Sequence, residues 1–344
     1  MSDINNKKDI GFMKVALREA MKGKGLTSPN PAVGCIIVKS GKIISKGYHR
    51  SAGSPHAEIE AINKAPAKSL KGSTLYVTLE PCSTHGRTPP CTDSIVNAGI
   101  KRVVYGGNDP NPVHRGKAKR LLKRKGIHVL EGILQESCAK LIRPFKKYIT
   151  TGLPWVVAKA GMSIDGRLTR PAKEGQWLTS KESIADAQKI RGEVDAIIVG
   201  AGTVRADDPK LTIRDPKILK RGKVQPWRVI LTRSGNLSDK AKVFTDSLNY
   251  RTLLYERKSL KAVLKDLAGK YNCTHVMIEG GGNLLGEAFR KQLVDEICFY
   301  IAPMICGTNC TPVADIAFPS SVQLFDKTVK QIGEDLRVRG LVKN

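Results

Sequence analysis

Two stretches constrain this chain more than any others: Pro55-His56-Ala57-Glu58 and, further on, Pro81-Cys82-Ser83-Thr84-His85-Gly86-Arg87-Thr88-Pro89-Pro90-Cys91. One imidazole and two thiolates are the three protein ligands that a zinc site takes when its fourth position is left for water. They can act together only in a fold that brings the two stretches to one point. Glu58, two residues beyond the histidine, can lie beside that water without ligating the metal, and can carry protons to and from it. Such an open site implies hydrolytic chemistry. The alternative is a closed structural zinc site, or two ordinary buried cysteines. A closed site needs a fourth protein ligand, for which His85 is the one nearby candidate.

At 344 residues the chain is too long for one ordinary core and fits two domains. Its 41% hydrophobic and 5% aromatic content suits a globular protein, and no run approaches the ~18 apolar residues of a membrane span. Residues 1–9 are polar and charged without an apolar export core, so a cytoplasmic location is expected, with no membrane partner. The eight cysteines are scattered, as reduced thiols and metal ligands would be. The net charge of +27 would draw polyanions. The basic residues are nevertheless spread along the whole chain with little aromatic interleaving, which disfavours nucleic acid and suits phosphorylated small substrates. A homo-oligomer is compatible with all of this.

In the first half, residues 12–21 carry an approximately helical apolar stripe that ends near Gly23 and Gly25. Residues 32–38 read as a buried strand and 42–48 as its hairpin partner across Ser40-Gly41. Between helix and strand lies Ser28-Pro29-Asn30-Pro31. The prolines would hold Asn30 extended, with an amide able to donate and accept at a polar ring edge; a plain turn residue is the alternative. His49 is either a substrate contact or part of a surface loop. A helix is expected over 56–65, a strand over 73–79 and a helix over 91–97, which puts both metal segments at helix N-termini. A strand at 102–106, the loop Asn108-Asp109-Pro110-Asn111-Pro112, a basic helix at 117–125 and a strand at 127–130 complete an alternating α/β layer.

His56-x-Glu58 followed by Pro81-Cys82 resembles the signature of zinc nucleobase deaminases, with Cys-x8-Cys in place of Cys-x-x-Cys. Taken with Ser28-Pro29-Asn30-Pro31-x-Val33-Gly34, Thr78-Leu79-Glu80-Pro81-Cys82, the His85 to Cys91 insert and Asp109-Pro110-Asn111-Pro112, the first half is similar to the deaminase domain of the bifunctional riboflavin-biosynthesis deaminase/reductase family. The resemblance implies a cytidine-deaminase-like three-layer domain, with zinc on His56, Cys82 and Cys91 and Glu58 as proton shuttle. It places Asn30, His49, His85 and Arg87 around the pyrimidine and its ribose phosphate, so that His85 serves substrate and is not a ligand.

A helix is expected over 134–148, followed by the turn-forming Thr150-Thr151-Gly152-Leu153-Pro154 and a new strand at 155–160, so the domains are placed at 1–150 and 151–344. Short apolar runs at 196–199, 228–231, 252–255, 275–278 and 296–301 give a second α/β sheet. It has no Gly-x-Gly-x-x-Gly fingerprint. Instead Glu279-Gly280-Gly281-Gly282-Asn283-Leu284-Leu285-Gly286 opens a helix after a strand, either as an anion cradle or as a tight turn without a ligand. Gly200-Ala201-Gly202-Thr203-Val204-Arg205-Ala206-Asp207-Asp208-Pro209-x-Leu211-Thr212-x-Arg214 and Lys159-x-x-x-Ser163-Ile164-Asp165-Gly166 follow strand ends, where open α/β sheets bind ligands.

These stretches, with Gln176-Trp177-Leu178-Thr179, resemble the reductase domain of the same family, which is dihydrofolate-reductase-like in fold. By that resemblance the cofactor NADPH meets Gly161, Trp177, Thr203, Asp207 and the loop Gly281, Gly282, Asn283, Leu284, Leu285, Gly286 and Glu287. The substrate meets Lys159, Arg191, Leu211, Arg214 and Glu279. Thr232-Arg233-Ser234 offers a basic and hydroxylic stretch suited to the 2′-phosphate. Two positions depart from the family: Gly175 stands where a serine is common, and Arg143-Pro144-Phe145 replaces an asparagine-containing stretch.

The implied activity is two-step: zinc-dependent deamination of a diaminopyrimidinone ribosyl phosphate, then NADPH reduction of its ribose to a ribityl chain. Its rivals are a nucleic-acid base deaminase with a basic accessory domain, and a binding protein whose second half has lost its hydride chemistry.

Overall fold

In the computed structural model, which describes residues 2–84, 89–175 and 177–343, the chain divides into two units, Met1–Thr151 and Gly152–Asn344. The first is built on strands β1 (Gly34–Lys39), β2 (Lys42–Tyr48), β3 (Thr74–Leu79), β4 (Arg102–Gly107) and β5 (His128–Glu131), in the order β2-β1-β3-β4-β5. Ser40 and Gly41, both at positive φ, turn β1 into β2. β1 pairs antiparallel with β2 and β3, whereas β3, β4 and β5 are parallel.

Because side chains alternate across a strand, this sheet buries two faces. Cys35, Ile37, Leu75, Val77, Val103 and Tyr105 meet Ala57 and Ala61 of the helix Ala57–Lys64, Ile95 of the helix Cys91–Asn97 and Leu122 of the helix Lys117–Arg124. Ile36, Val38, Tyr76 and Val104 meet Met13 and Ala16 of the helix Ser2–Gly23 and Cys138 of the helix Gln135–Leu141. Three layers result. The single helix expected over 134–148 is instead two, Gln135–Leu141 and Arg143–Thr151. Pro144 explains the break, since its ring lacks an N–H and clashes with the preceding turn of a continuous helix, but it is tolerated in a first turn.

The second unit holds β6 (Trp155–Ser163), β7 (Ala196–Gly200), β8 (Trp227–Thr232), β9 (Thr252–Glu256), β10 (His275–Glu279), β11 (Glu296–Ala302), β12 (Leu324–Ile332) and β13 (Asp335–Val342). Their order is β12-β13-β11-β6-β10-β7-β8-β9, parallel from β11 to β9 and antiparallel at the β12-β13 end. One face packs on the helices Leu260–Tyr271 and Gly282–Arg290, the other on Lys181–Arg191 and Ala201–Asp207. The β12-β13 hairpin was not expected from the sequence: β12 is exposed along nearly its whole length and Lys327, Lys330 and Gln331 interrupt any apolar run.

The helix carrying Glu58 is seated against β2 by close approach. A Cβ on Gly47 would lie 2.4 Å from the Ala57 carbonyl oxygen and 2.6 Å from the Ala61 nitrogen, so only glycine fits there. The Ser45 hydroxyl donates to the Ala61 carbonyl (2.7 Å), and Glu60 accepts from the Tyr48 N–H (2.7 Å). Gly47→Ala is therefore expected to destabilise the first unit by about 1–3 kcal/mol, as overpacking does. Thermal denaturation checks this, and an unchanged midpoint would mean that the helix moves aside freely.

Candidate active sites

His56 caps the helix Ala57–Lys64 in an extended conformation, while Cys91 is the first residue of the helix Cys91–Asn97, placed there by Pro90. Cys82 follows β3 across Glu80-Pro81 and is held by the Cys91 N–H, which donates to its Sγ (3.2 Å). The His56 Nδ1 lies 3.3 Å from the Cys91 Sγ and 3.6 Å from the Cys82 Sγ. These ligand atoms all fall within 4.8 Å of one another, the one such group of potential metal ligands among the described residues.

A hydrogen bond to Cys82 raises His56 to about 9, against the effect of its burial. Cys82 is held at about 4, chiefly by its hydrogen bond from Cys91 and then by His56. Burial pushes Glu58 up to about 7, with the charge of Cys82 adding to the shift. Two thiols and an imidazole in half-buried surroundings form a soft N/S donor set that fits zinc, with the carboxyl of Glu58 buried beside it.

Asn30 closes a turn, its N–H donating to the Thr27 carbonyl (2.8 Å). Its Nδ2 lies 3.1 Å from the His49 Nε2, and the His49 Nδ1 lies 3.1 Å from the Pro55 carbonyl oxygen. A carbonyl can only accept, so Nδ1 carries the proton, Nε2 accepts from the amide, and His49 is neutral. Burial lowers its pKa, consistently with that state. The His49 ring stands edge-on to His56 with centroids 5.4 Å apart, which brings Asn30 and His49 to the ligand cluster. His85 and Arg87 lie outside the described residues.

In the second unit the parallel register sets Glu279, at the end of β10, beside Lys159 on β6. Lys159 Nζ donates to Glu279 Oε1 (2.9 Å), and Arg191 donates to Glu279 Oε2 from Nε (3.1 Å) and Nη2 (2.9 Å). Burial would raise Glu279, but Arg191 and Lys159 outweigh it and hold the carboxyl at about 2. Arg191 Nη1 also donates to the Thr212 carbonyl (2.8 Å), which draws the segment of Leu211 and Arg214 to the same place. Lys159, Arg191 and Glu279 are thus brought together, with the backbone of the Leu211 to Arg214 segment tied to them through Arg191, while the Leu211 side chain lies in the core.

The expected cofactor residues are distributed differently. The Thr203 hydroxyl accepts from the Gly281 N–H (3.3 Å), joining the ends of β7 and β10. Gly161 lies within β6 against Thr179, Trp177 is exposed, and Asp207 is exposed at the end of its helix. Asn283 is exposed and Glu287 half-buried, whereas Leu284 and Leu285 are core residues, so only their backbone can face a ligand. Gly282 and Gly286 are needed for packing: a Cβ there would lie 2.0 Å from the Pro312 carbonyl oxygen and 2.8 Å from Ile316 Cγ1. A Cβ on Gly200 or Gly202 would meet nothing within 4 Å. An open approach at these glycines beside a hydroxyl and a helix N-terminus fits the phosphates of a dinucleotide.

The comparisons with known proteins agree with both halves. Residues 154–338 match the family described as the RibD C-terminal domain, and residues 6–107 match the cytidine and deoxycytidylate deaminase zinc-binding region. The riboflavin biosynthesis protein RibD of Aquifex aeolicus (strain VF5) is 39% identical over 351 residues, covering 95% of this chain and 97% of that protein. The chain belongs to the RibD family. Form 1 of Acinetobacter baumannii RibD has a TM-score of 0.89 at 35% identity, over 98% of this chain and 100% of that one. A diaminohydroxyphosphoribosylaminopyrimidine deaminase/5-amino-6-(5-phosphoribosylamino)uracil reductase from Thermotoga maritima has a TM-score of 0.88 at 34% identity, again over 98% and 100%. Both expected folds stand, the cytidine-deaminase-like first half and the RibD reductase second half. Zn2+ and NADPH are the cofactors of a RibD chain, and the donor set and the glycine-lined strand ends fit them.

Sequence reasoning did not single out Glu80. Its buried carboxylate accepts from the N–H groups of Asp109 (3.3 Å), Gly116 (3.0 Å) and Ala118 (3.2 Å), fixing that loop to the strand end beside Cys82. The Thr84 hydroxyl meets His114 Nδ1 of the same loop (2.9 Å). The one available signal was the position of Glu80 directly before Pro81-Cys82.

The depressed pKa of Glu279 has a stability consequence. Its folded value, about 2, lies below its ordinary 4.5, so it contributes stability above pH 4.5 that is lost as pH falls toward 2. Glu279→Gln is expected to destabilise the second unit at neutral pH, with the gap to wild type narrowing over that window. Denaturation midpoints across pH 7 to 2 measure it, and a pH-independent gap would sink the assignment.

Proposed function

We propose that the His56, Cys82, Cys91 and Glu58 cluster carries the hydrolytic step, and the Lys159, Glu279, Arg191 and Arg214 cluster the substrate side of the reductive step, of this bifunctional riboflavin-biosynthesis chain. The reactions are deamination of the diaminopyrimidinone ribosyl phosphate and reduction of the product's ribose to a ribityl chain; the name of the Thermotoga maritima relative gives that protein a deaminase and a 5-amino-6-(5-phosphoribosylamino)uracil reductase activity. The convergence of two thiols and an imidazole on a buried carboxyl, in a chain of this family, is the observation that carries the reading.

Zinc, when bound by His56, Cys82 and Cys91, supplies a Lewis acid that makes water a nucleophile near neutral pH. Glu58 takes a proton from the attacking water on its carboxylate and delivers one to the departing amino nitrogen, so that ammonia leaves and a ring carbonyl remains. Its burial keeps it near the pKa at which both transfers are feasible. Asn30, oriented by His49, reads the pyrimidine edge with the remainder of its amide. By the family resemblance the roles of contacting the ring and its ribose phosphate fall to His85 and Arg87. A guanidinium matches phosphate in a bidentate way.

In the second unit NADPH supplies the hydride, and the protein supplies position. Gly161, Trp177, Thr203, Asp207 and the backbone of residues 281–287 hold the cofactor, with Arg233 and Ser234, exposed at the end of β8, placed for a 2′-phosphate. Lys159 lies near the reacting sugar carbon in its opened imine form. Arg191 and Arg214 take the 5-phosphate: Arg191 spends three of its five N–H donors on Glu279 and Thr212, and Arg214 is exposed. The reaction takes place in the cytoplasm, where NADPH and free thiols such as these eight persist.

A coupled assay with zinc-loaded protein, the phosphorylated substrate and NADPH is expected to show ammonia release followed by matching nicotinamide oxidation. Glu58→Gln should lower ammonia release by about 10²–10⁴-fold while keeping its zinc and its reduction of the deaminated compound. Ammonia release at the wild-type rate by that variant would remove Glu58 from the proton-carrying role.

A further inference from the structure

The stretch from Lys210 to Asp215 has no regular secondary structure, yet Leu211, Thr212 and Ile213 are buried. Buried backbone groups must find partners, and here side chains supply them. Arg228, buried in β8, donates from Nη1 to the Lys210 carbonyl (3.2 Å), and Arg191 donates to that of Thr212. The Gln225 amide grips Ile213 at two points, its Oε1 accepting from the Ile213 N–H (2.8 Å) and its Nε2 donating to the Ile213 carbonyl (2.9 Å). Gln188, on the same helix as Arg191, accepts from the Arg214 N–H through Oε1 (2.7 Å). Leu211 sits at φ 52, in the left-handed region that a leucine occupies only when its surroundings hold it there.

We infer that Gln225 and Gln188 are positioning residues of the reductase half, fixing this segment so that Arg214 is presented to the phosphate of the substrate. The inference rests on the reading of Arg214 as the phosphate contact. A primary amide provides one donor and one acceptor on adjacent atoms, as a neighbouring strand would, which neither a carboxylate nor an apolar side chain does. Gln225 thus acts as a strand partner for a segment that has none, and Gln188 fixes the backbone of the functional residue itself.

The test uses full-length Gln225→Leu, Gln225→Glu, Arg214→Ala and the Gln225→Leu/Arg214→Ala double variant. Each is assayed for NADPH oxidation with 5-amino-6-(5-phosphoribosylamino)uracil and with the same compound after phosphatase treatment. Gln225→Leu is expected to raise the KM for the phosphorylated compound about five- to tenfold, the loss of one or two net hydrogen bonds, with the KM for NADPH unchanged. Gln225→Glu, which keeps the acceptor for Ile213, should fall between it and wild type. The effect should vanish on the dephosphorylated compound and be non-additive with Arg214→Ala. An equal rise on both compounds, or for NADPH as well, indicates general loosening of the domain and overturns the inference. So does an unchanged KM in Gln225→Leu when Arg214→Ala raises it. If Arg214→Ala itself leaves that KM unchanged, the phosphate reading has failed first and the inference falls with it. Gln188→Met, which removes the acceptor from the Arg214 N–H, provides the same comparison should Gln225→Leu not fold.

Discussion

Parallel strands end side by side, and both candidate sites are built on that constraint. In the second unit the pairing of Glu279 with Lys159 is a matter of register between β10 and β6; a slip of one residue would send one of the two to the opposite face of the sheet. In the first unit β3 and β4 run together as far as Leu79 and Gly107, after which the Glu80 N–H still bonds the Gly107 carbonyl (2.8 Å). The chain therefore leaves the sheet in a fixed direction as Pro81-Cys82. The helix starts at His56 and Cys91 then need only reach one point, and the close approach at Gly47 sets the position of the first.

Burial alone does not decide what a carboxyl can do, as the buried Glu58 and the half-buried Glu279 show. Glu58 has thiols and an imidazole for neighbours; desolvation wins, and its pKa rises to about 7, where a group can both accept and release a proton. Glu279, half-buried, lies between a lysine and an arginine, and it stays ionised to about 2. It is a fixed anion that holds two cations in place. The same side chain is left titrating near neutrality in one unit and held as a counter-ion in the other because of what surrounds it.

Much of the fold was legible because its signals were local. The Ser40-Gly41 turn and the proline pair before Cys91 mark β2 and the helix Cys91–Asn97 at the bounds the structure has. The break at Ile142 was missed although Pro144 is visible, since the apolar spacing on either side reads as continuous. β12 was missed because an exposed edge strand need not carry an apolar pattern. The convergence of His56, Cys82 and Cys91 was legible through the rarity of their residue types, and the stretches of Lys159 and Glu279 through their place at strand ends, while their substrate role came only through the resemblance. Gln188 and Gln225 were not read at all, and Glu80 only as part of a motif. Each works by bonding backbone groups distant in sequence, and no periodicity or composition records such contacts.

The second site is a continuous run of hydrogen bonds. It passes from Lys159 through Glu279 and Arg191 to the Thr212 carbonyl, and the backbone then leads to Arg214, itself fixed through Gln188. The residue assigned to the sugar and the one assigned to the phosphate are therefore referred to a single frame anchored on adjacent strand ends. That matters because the hydride chemistry belongs to the nicotinamide, and what remains for the protein is to bring two carbons into contact. A substrate gripped at its distal phosphate can be placed at its reacting carbon only if the two grips do not move independently. The irregular Lys210–Asp215 stretch would be the weak part of that frame were its backbone left to water, and the side-chain amides that bind it supply the stiffness that regular structure provides elsewhere.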